Sequence, residues 1–154
     1  MKFTGEIAIV APREAVFAKV RDAQFFASCV EGVHDLNEID RDHYTAVLET
    51  RIAYLSFKFN LTVEVLRADP PKEIEARIEG TPSGIIGRFT ARSLTRLAEA
   101  NGGTKVSYEI EAALTGKLGS LGQPVLRAKA KEMERQFIKR ICAGFAPVQT
   151  ESAT

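Results

Sequence analysis

Several classes of protein are excluded by what this sequence lacks. It has no tryptophan and only two cysteines, Cys29 and Cys142, which are too few for a disulfide scaffold or a structural zinc site. No apolar run approaches the roughly 18 residues of a membrane-spanning helix, and the first residues lack the apolar segment of a signal peptide. We therefore expect a cytoplasmic protein with free thiols, no metal site and no cofactor.

An excess of charge of one sign is also missing. The 154 residues include 21 Lys and Arg against 20 Asp and Glu, a net charge of +1, whereas nucleic-acid-binding proteins usually carry a clustered basic excess. Apolar residues make up 45% and charged residues 27% of the chain, as in ordinary globular proteins. We expect one domain over residues 1–146, a flexible polar tail at 147–154, and no nucleic-acid partner.

The sequence does contain a long series of residues that alternate between apolar and polar side chains. This alternation is typical of strands with one buried face and one solvated face. The alternating runs cover 2–10, 44–54, 57–65, 73–79, 88–97 and 105–114. A shorter strand follows Gly32, and Pro12 and Asp22 indicate two short helices after the first strand.

Two of these strands carry opposite charges on their solvated faces. Placing Glu79 opposite Arg88 also brings Glu75 opposite Arg92, and such cross-strand pairs help to fix the register of a sheet. We therefore interpret these arginines as structural side chains rather than as phosphate ligands.

The period of the pattern changes to about 3.6 residues after Gly116. Ser120 and Gln123 have the spacing of a capping box, with Ser120 as the N-cap. An apolar stripe follows, and Glu134 is assigned to the polar side opposite it. The stripe consists of Val125, Leu126, Ala130, Met133, Phe137, Ile138, Ile141 and Phe145. We expect one long amphipathic helix over 118–145.

The order of these elements predicts an α+β protein. A sheet with one apolar face must pack against the apolar stripe of the long helix, and the two short helices are placed to close one side. We expect a helix-grip (START-like) fold, with a seven-stranded curved antiparallel sheet around a long C-terminal helix. This fold commonly leaves a cavity between the sheet and the helix.

Short motifs spread over residues 1–145 resemble the CoxG family, named for the G subunit of carbon monoxide dehydrogenase. They are Gly5-Glu6, the segments 11–16, 68–71 and 116–122, and Gln136-Phe137. The resemblance implies an accessory subunit that serves a molybdenum-containing hydroxylase of the carbon monoxide dehydrogenase type. The wider START-like superfamily contains lipid carriers, coenzyme-Q-binding proteins and polyketide cyclases, so the fold alone does not decide the function.

Apolar and aromatic side chains on the predicted dry faces of the strands and the long helix are candidates for a ligand site. Small residues among them, such as Ala76, Ala91 and Ser93, leave space that a close-packed core would fill. We expect the site to bind a hydrophobic, lipid-like or quinone-like molecule. The predicted lining is Tyr44, Leu48, Ile52, Tyr54, Phe57, Phe59, Leu61, Ile78, Phe89, Ala91, Ser93, Tyr108, Ile110, Met133 and Phe137.

A glycine-rich loop at 80–87 is predicted to form the mouth of this cavity. It lacks the Lys-Ser/Thr ending of a phosphate-binding loop, and no helix follows it. Gly84 and Gly87 flank two apolar side chains, Ile85 and Ile86. Exposed apolar residues of this kind suit a mobile lip or a contact with a partner or a membrane surface. We expect any membrane contact to be transient and peripheral.

The alternative is an enzyme of the polyketide cyclase or dehydratase type. No Asp, Glu, His, Lys or Arg occupies a predicted dry position of the strands, so the acid would have to be a tyrosine or His34, whose orientation the sequence leaves open. Tyrosine is a poor base at neutral pH. We therefore expect a binding protein without catalytic residues.

Overall fold

The computed structural model describes residues 1–145, and the predicted tail at 147–154 lies outside this range. Within residues 1–145 the chain forms seven strands, two short helices and one long helix, with a single 3-10 turn at Gly119–Leu121. The strands are β1 (Lys2–Ile9), β2 (Val33–Asp40), β3 (His43–Ile52), β4 (Leu55–Asp69), β5 (Glu73–Pro82), β6 (Gly87–Ala100) and β7 (Gly103–Gly116). The helices are α1 (Arg13–Arg21), α2 (Ala23–Ser28) and α3 (Gln123–Ala143).

The strands form one antiparallel sheet in the order β1-β7-β6-β5-β4-β3-β2. Every consecutive pair from β2 to β7 is a hairpin, and β1 pairs with β7 at the edge of the sheet. The sheet curves around α3, which confirms the predicted helix-grip fold. We call the side that faces α3 the concave face and the opposite side the outer face.

Ion pairs cover the outer face, but their register differs from the prediction. Glu79 lies directly opposite Thr90, and Glu75 opposite Leu94. The predicted partners still meet diagonally, because Arg88 Nη2 lies 2.8 Å from Glu79 and Arg92 Nε lies 2.9 Å from Glu75. A shift of two residues leaves every side chain on the same face, so alternation alone does not distinguish the two registers.

Of the two predicted N-caps, the one at α2 is confirmed and the one at α3 is wrong. The Asp22 carboxylate caps α2 by accepting from the backbone N–H groups of Gln24 and Phe25, as predicted. The capping box at α3 is wrong: Gly122 is the N-cap, and the Ser120 hydroxyl instead donates to the carbonyl of Lys117 at 2.6 Å. Ser120 lies within the 3-10 turn that precedes α3, so it is not next to the first residue of the helix.

Fully buried side chains concentrate at the two ends of the concave face. One end is closed by α1, and its buried residues are at most 8% exposed. They include Ile7, Ile9, Val16, Phe17, Leu97, Val106 and Ile141. The other end is closed by the segment between β7 and α3, and its buried residues are Ile52, Phe59, Leu118 and Leu126.

The turn before β2 depends on Gly32. Its φ of +91° is a conformation that L-residues rarely adopt, and its carbonyl accepts from the N–H of Glu49 at 2.9 Å. A Cβ at this position would collide with the Glu49 carbonyl oxygen. The strand pairing therefore leaves no room for a side chain.

We expect Gly32→Ala to lower the free energy of unfolding by about 2–4 kcal/mol, measured by urea denaturation. Gly102→Ala is the matched control, because Gly102 also has positive φ but nothing lies within 4 Å of the place that a Cβ would take. That control should cost only about 1–2 kcal/mol. Equal losses in the two variants would contradict the role of the Glu49 contact.

Candidate functional site

The middle of the concave face is less buried than its ends. Most of the predicted lining residues are half-buried, whereas Ile52, Phe59 and Ala91 are buried. The half-buried ones are Tyr44, Leu48, Phe57, Leu61, Ile78, Phe89, Ser93, Tyr108, Ile110, Met133 and Phe137. Side chains at the centre of a close-packed sheet and helix would be the most buried ones, so this gradient is the reverse of an ordinary core.

Tyr54 does not belong to this set, and the prediction that it faces inward is wrong. It lies in the tight turn between β3 and β4 and is 92% exposed. Ile52 pairs with Leu55, and Ala53 between them has a φ of +57°. The alternation of β3 ends at Ile52 because the chain reverses there.

Small side chains lie together at the centre of the concave face. Ala76 on β5 pairs with Ser93 on β6, and Ala91 on β6 pairs with Ala112 on β7. We call these four residues the small-residue floor. They come from three adjacent strands, so short side chains that are far apart in the sequence form one continuous patch.

The face of α3 that lies toward the sheet is mixed rather than wholly apolar. Ala130, Met133, Glu134 and Phe137 share one helical face and are all half-buried. Phe137 also contacts Phe26 of α2, with ring centroids 5.3 Å apart. The helix therefore brings both apolar side chains and one carboxylate to the concave face.

That carboxylate is the residue that the sequence pattern missed. The Tyr108 hydroxyl on β7 donates a hydrogen bond to the Glu134 carboxylate, and Gly5 on β1 makes room for it, because a Cβ there would collide with the Tyr108 hydroxyl. Burial and the adjacent carboxylate raise the pKa of Tyr108. The position of Glu134 in the sequence could have identified it, because residue 134 lies four residues after Ala130 and three before Phe137 and so shares their helical face.

Tyr44 has a different environment at the rim of the concave face. Its hydroxyl donates to the carbonyl of Arg41 and accepts from Arg21, both at 2.8 Å. The guanidinium of Arg21 also pairs with Asp42, and burial raises the pKa of Tyr44. The Tyr44 hydroxyl therefore ties α1 to the turn between β2 and β3, and only its ring adds to the lining.

His34 lies outside the concave site. Its Nε2 is 2.5 Å from Glu49 and its Nδ1 is 3.1 Å from Asp35, and the hydrogen bond to Glu49 is the main reason that its pKa is raised. The suggestion that His34 supplies an acid inside the cavity is therefore wrong. Strand β2 is at the edge of the sheet beside β3, so its outward residues lie beside β3 and solvent.

The pKa of His34 is expected to fall toward its ordinary value in the Glu49→Gln variant, as measured by NMR titration. His43, whose pKa is raised chiefly by Asp40, should not change and serves as the internal control. The His34–Glu49 ion pair exists below the raised pKa and is lost as the pH rises through it. An unchanged His34 titration would show that Glu49 is not its partner in solution.

Two turns place apolar side chains at the end of the sheet next to α3. Tyr54 lies in the β3–β4 turn and Leu55 is the first residue of β4, while Ile85 and Ile86 lie in the β5–β6 loop, where Ile86 is 81% exposed. The N–H of Ser83 donates to the carbonyl of Lys58, which joins the loop to β4. We call Tyr54, Leu55, Ile85 and Ile86 the apolar tip.

Basic side chains surround the apolar tip. Arg51, Lys58, Arg88 and Lys117 are exposed there, and segments 50–58, 81–88 and 114–121 contain no acidic residue. Arg88 pairs with Glu79, whereas within residues 1–145 the other three cations form no ion pair. The N–H of Lys117 donates to the Ile86 carbonyl at 2.9 Å, which fixes this rim to the tip.

Two surface depressions lie apart from the small-residue floor. One, of about 370 Å³, is formed mainly by outward-facing residues of β1, β6 and β7. The other, of about 360 Å³, lies between α1, the β2–β3 turn and the end of β4. In residues 1–145 no group of three or more His, Cys, Asp or Glu is arranged to hold a metal ion, and no helix there is long and apolar enough to cross a membrane.

The family model for CoxG, the G subunit of carbon monoxide dehydrogenase, matches residues 5–144, which is most of the chain. The chain belongs to the CoxG family. The match includes the glycine that accommodates Tyr108 and the whole of α3. None of the curated proteins compared with this CoxG chain matches it.

Solved structures share the fold of this CoxG chain. A conserved protein from Geobacillus kaustophilus is 27% identical, with a TM-score of 0.85 over 94% of this chain and 95% of that one. A protein from Rhizobium loti is 14% identical, with a TM-score of 0.68 and coverage of 93% and 95%. A protein from Thermus thermophilus is 15% identical, with a TM-score of 0.62 and coverage of 95% and 100%. At 14–15% identity, the last two similarities show the fold alone.

Proposed function

We propose that this protein binds a hydrophobic small molecule between the concave face and α3, without catalysing a reaction on it. We further propose that it acts as an accessory subunit to a molybdenum hydroxylase of the carbon monoxide dehydrogenase type, as the name of its family suggests. A lipid-like or quinone-like ligand suits a site with an apolar lining.

The gradient of burial along the concave face carries this proposal. Both ends are closed by fully buried side chains, while apolar residues such as Ile78 and Ile110 in the middle remain half-buried. In the small-residue floor, Ala76 and Ser93 are half-buried, while Ala91 and Ala112 are buried. Apolar surface that is left accessible in the interior of a domain is costly unless something covers it, and a bound apolar molecule would do so.

The expected affinity is moderate. Burying about 300 Å² of apolar ligand surface would contribute roughly 7 kcal/mol at ~25 cal/mol per Å². Association costs of several kcal/mol reduce this figure. We therefore expect dissociation constants in the micromolar range.

A binding function is favoured over the cyclase or dehydratase alternative by the state of the two tyrosine hydroxyls. Tyr44 is engaged with Arg21 and Arg41, and the raised pKa of Tyr108 makes it a weaker proton donor than an ordinary tyrosine. His34, the other proposed acid, is held by Glu49 on the outside. The Tyr108–Glu134 pair is therefore better suited to positioning a ligand than to proton transfer.

We also propose that the apolar tip docks reversibly on an anionic lipid bilayer, next to the mouth of the site. Each apolar side chain that inserts fully contributes about 1.5–3 kcal/mol, and each nearby cation about 1 kcal/mol. The chemical support is the combination of four exposed apolar side chains with a rim of cations. Such docking would let an apolar ligand pass between the bilayer and the site without entering water.

The binding proposal is tested by titrating the protein with a neutral apolar fluorescent probe such as Nile red. We expect saturable enhancement of fluorescence with one site per chain and a micromolar dissociation constant. An excess of a second apolar compound should reverse the signal. Non-saturable enhancement, or none, would contradict the proposal.

The accessory role is tested separately by affinity capture from cells that produce a hydroxylase of the carbon monoxide dehydrogenase type. We expect the captured material to contain that enzyme. Capture of the protein alone, with the enzyme present in the same cells, would count against this part of the proposal.

A further inference from the structure

The Tyr108–Glu134 pair is a strongly polar feature of the half-buried part of the concave face. Glu134 accepts from the Tyr108 hydroxyl, and within residues 1–145 it forms no ion pair with any Lys, Arg or His. Of the cations on α3, Lys129 pairs with Glu132 and Arg127 lies over the ring of Phe3, whereas Lys131, one turn before Glu134, is exposed and within residues 1–145 forms no ion pair with it. The carboxylate is therefore directed to the site without a neutralising partner.

The surroundings of the pair make it part of the proposed ligand site. Tyr108 pairs across β7 and β6 with Thr95, and Ser93 lies two residues from Thr95 on the same face. Met133 and Phe137 flank Glu134 on α3. An apolar molecule over the small-residue floor would thus reach the Tyr108–Glu134 pair at one of its ends.

We propose that Glu134 and Tyr108 form a polar subsite that accepts the hydroxyl head of an apolar alcohol or phenol and rejects molecules with an anionic head. This assignment rests on the proposed binding function and specifies its ligand class. A carboxylate has about four acceptor positions, of which Tyr108 occupies one. A ligand hydroxyl can donate to another, and a hydrogen bond to an ionised acceptor is stronger than one between neutral groups.

The same charge acts against fatty acids and other anionic lipids. A ligand carboxylate at this position would face Glu134 at close range in a site partly shielded from water, where like charges repel more strongly than in bulk solvent. The subsite therefore selects ligands by the charge of the head group, whereas the apolar lining contacts the ligand's apolar part and does not distinguish between head groups.

The test compares 1-decanol with decanoate at pH 7.5 as competitors for a bound neutral fluorescent probe. For the wild-type protein we expect decanol to displace the probe at a concentration at least tenfold lower than decanoate. In the Glu134→Gln variant, which keeps an acceptor for Tyr108 but loses the charge, decanoate should gain at least tenfold. The readout is the ratio of the decanol and decanoate concentrations that displace the same probe within one variant, so a change in the affinity for the probe itself cancels.

A second variant separates the charge of Glu134 from a merely structural link between α3 and the sheet. Tyr108→Phe breaks the same hydrogen bond but keeps the carboxylate, so it should retain the preference for decanol over decanoate. If Tyr108→Phe lost the preference as completely as Glu134→Gln does, the charge of Glu134 alone would not account for the selection, and the proposal would be wrong.

The possible failures are distinguishable. Equal displacement of a bound probe by decanol and decanoate in the wild-type protein would overturn the subsite and leave the binding function standing. A probe that does not bind the wild-type protein at all would overturn the binding function, and the subsite with it.

Discussion

Replacing Ala76 with tryptophan is expected to weaken the binding of a neutral apolar probe by roughly 70-fold. Ala76 lies in the small-residue floor beside Ser93, and an indole ring there would occupy the space proposed for the ligand. A loss of about 100 Å² of apolar contact corresponds to ~2.5 kcal/mol, which gives this factor. The measurement is a probe titration at constant protein concentration.

The matched control is Ala113→Trp on the outer face of β7, where the original side chain is exposed. It adds the same ring without entering the site, so its affinity should equal that of wild type. Because the sequence has no tryptophan, each variant also carries a single indole fluorophore. Emission from the Ala76→Trp variant should be blue-shifted relative to the control. Wild-type affinity in a folded Ala76→Trp variant would place the ligand elsewhere.

Removal of the apolar tip is expected to reduce binding to anionic vesicles by at least 100-fold. The variant replaces Tyr54, Leu55, Ile85 and Ile86 with serine. If the four side chains insert only halfway, they contribute about 3 kcal/mol together, which corresponds to more than a factor of 100 in affinity. Co-sedimentation with vesicles rich in phosphatidylglycerol measures the effect. Val10→Ser is the control, because Val10 is 91% exposed but does not belong to the tip.

The cations around the apolar tip provide a second test of membrane binding. Replacing Lys58 and Lys117 with glutamine should weaken binding to the same vesicles by about 30-fold, at roughly 1 kcal/mol for each cation. It should have little effect with uncharged vesicles. Identical sedimentation of wild type and both variants would show that neither the tip nor its rim contacts lipid.

The architecture could be predicted from the sequence because the two periods of the pattern are distinct. Alternation in the strands and a 3.6-residue stripe in α3 each specify a buried face, and burying both at once leaves few arrangements. The register of β5 and β6 was harder, since moving Glu79 by two residues relative to Arg88 keeps its side chain outward. Long arginine and glutamate side chains tolerate either register by pairing diagonally.

The candidate site was less predictable for two local reasons. Tyr54 continues the alternation of β3 in the sequence, but Ala53 adopts a positive φ and reverses the chain before it. Glu134 was assigned to the polar side of α3 because of its residue type, although its position matches the apolar stripe. Its partner Tyr108 comes from a strand 26 residues earlier, and such long-range contacts leave no trace in a local pattern.

The central claim is that an apolar molecule occupies the space between the concave face and α3. Native mass spectrometry of protein purified gently from its own cells tests this most directly. We expect a species heavier than the polypeptide by the mass of one small molecule, which organic solvent extracts and which the Ala76→Trp variant fails to retain. A wild-type protein that shows only the polypeptide mass, and that takes up no neutral apolar probe when one is added, would contradict the claim.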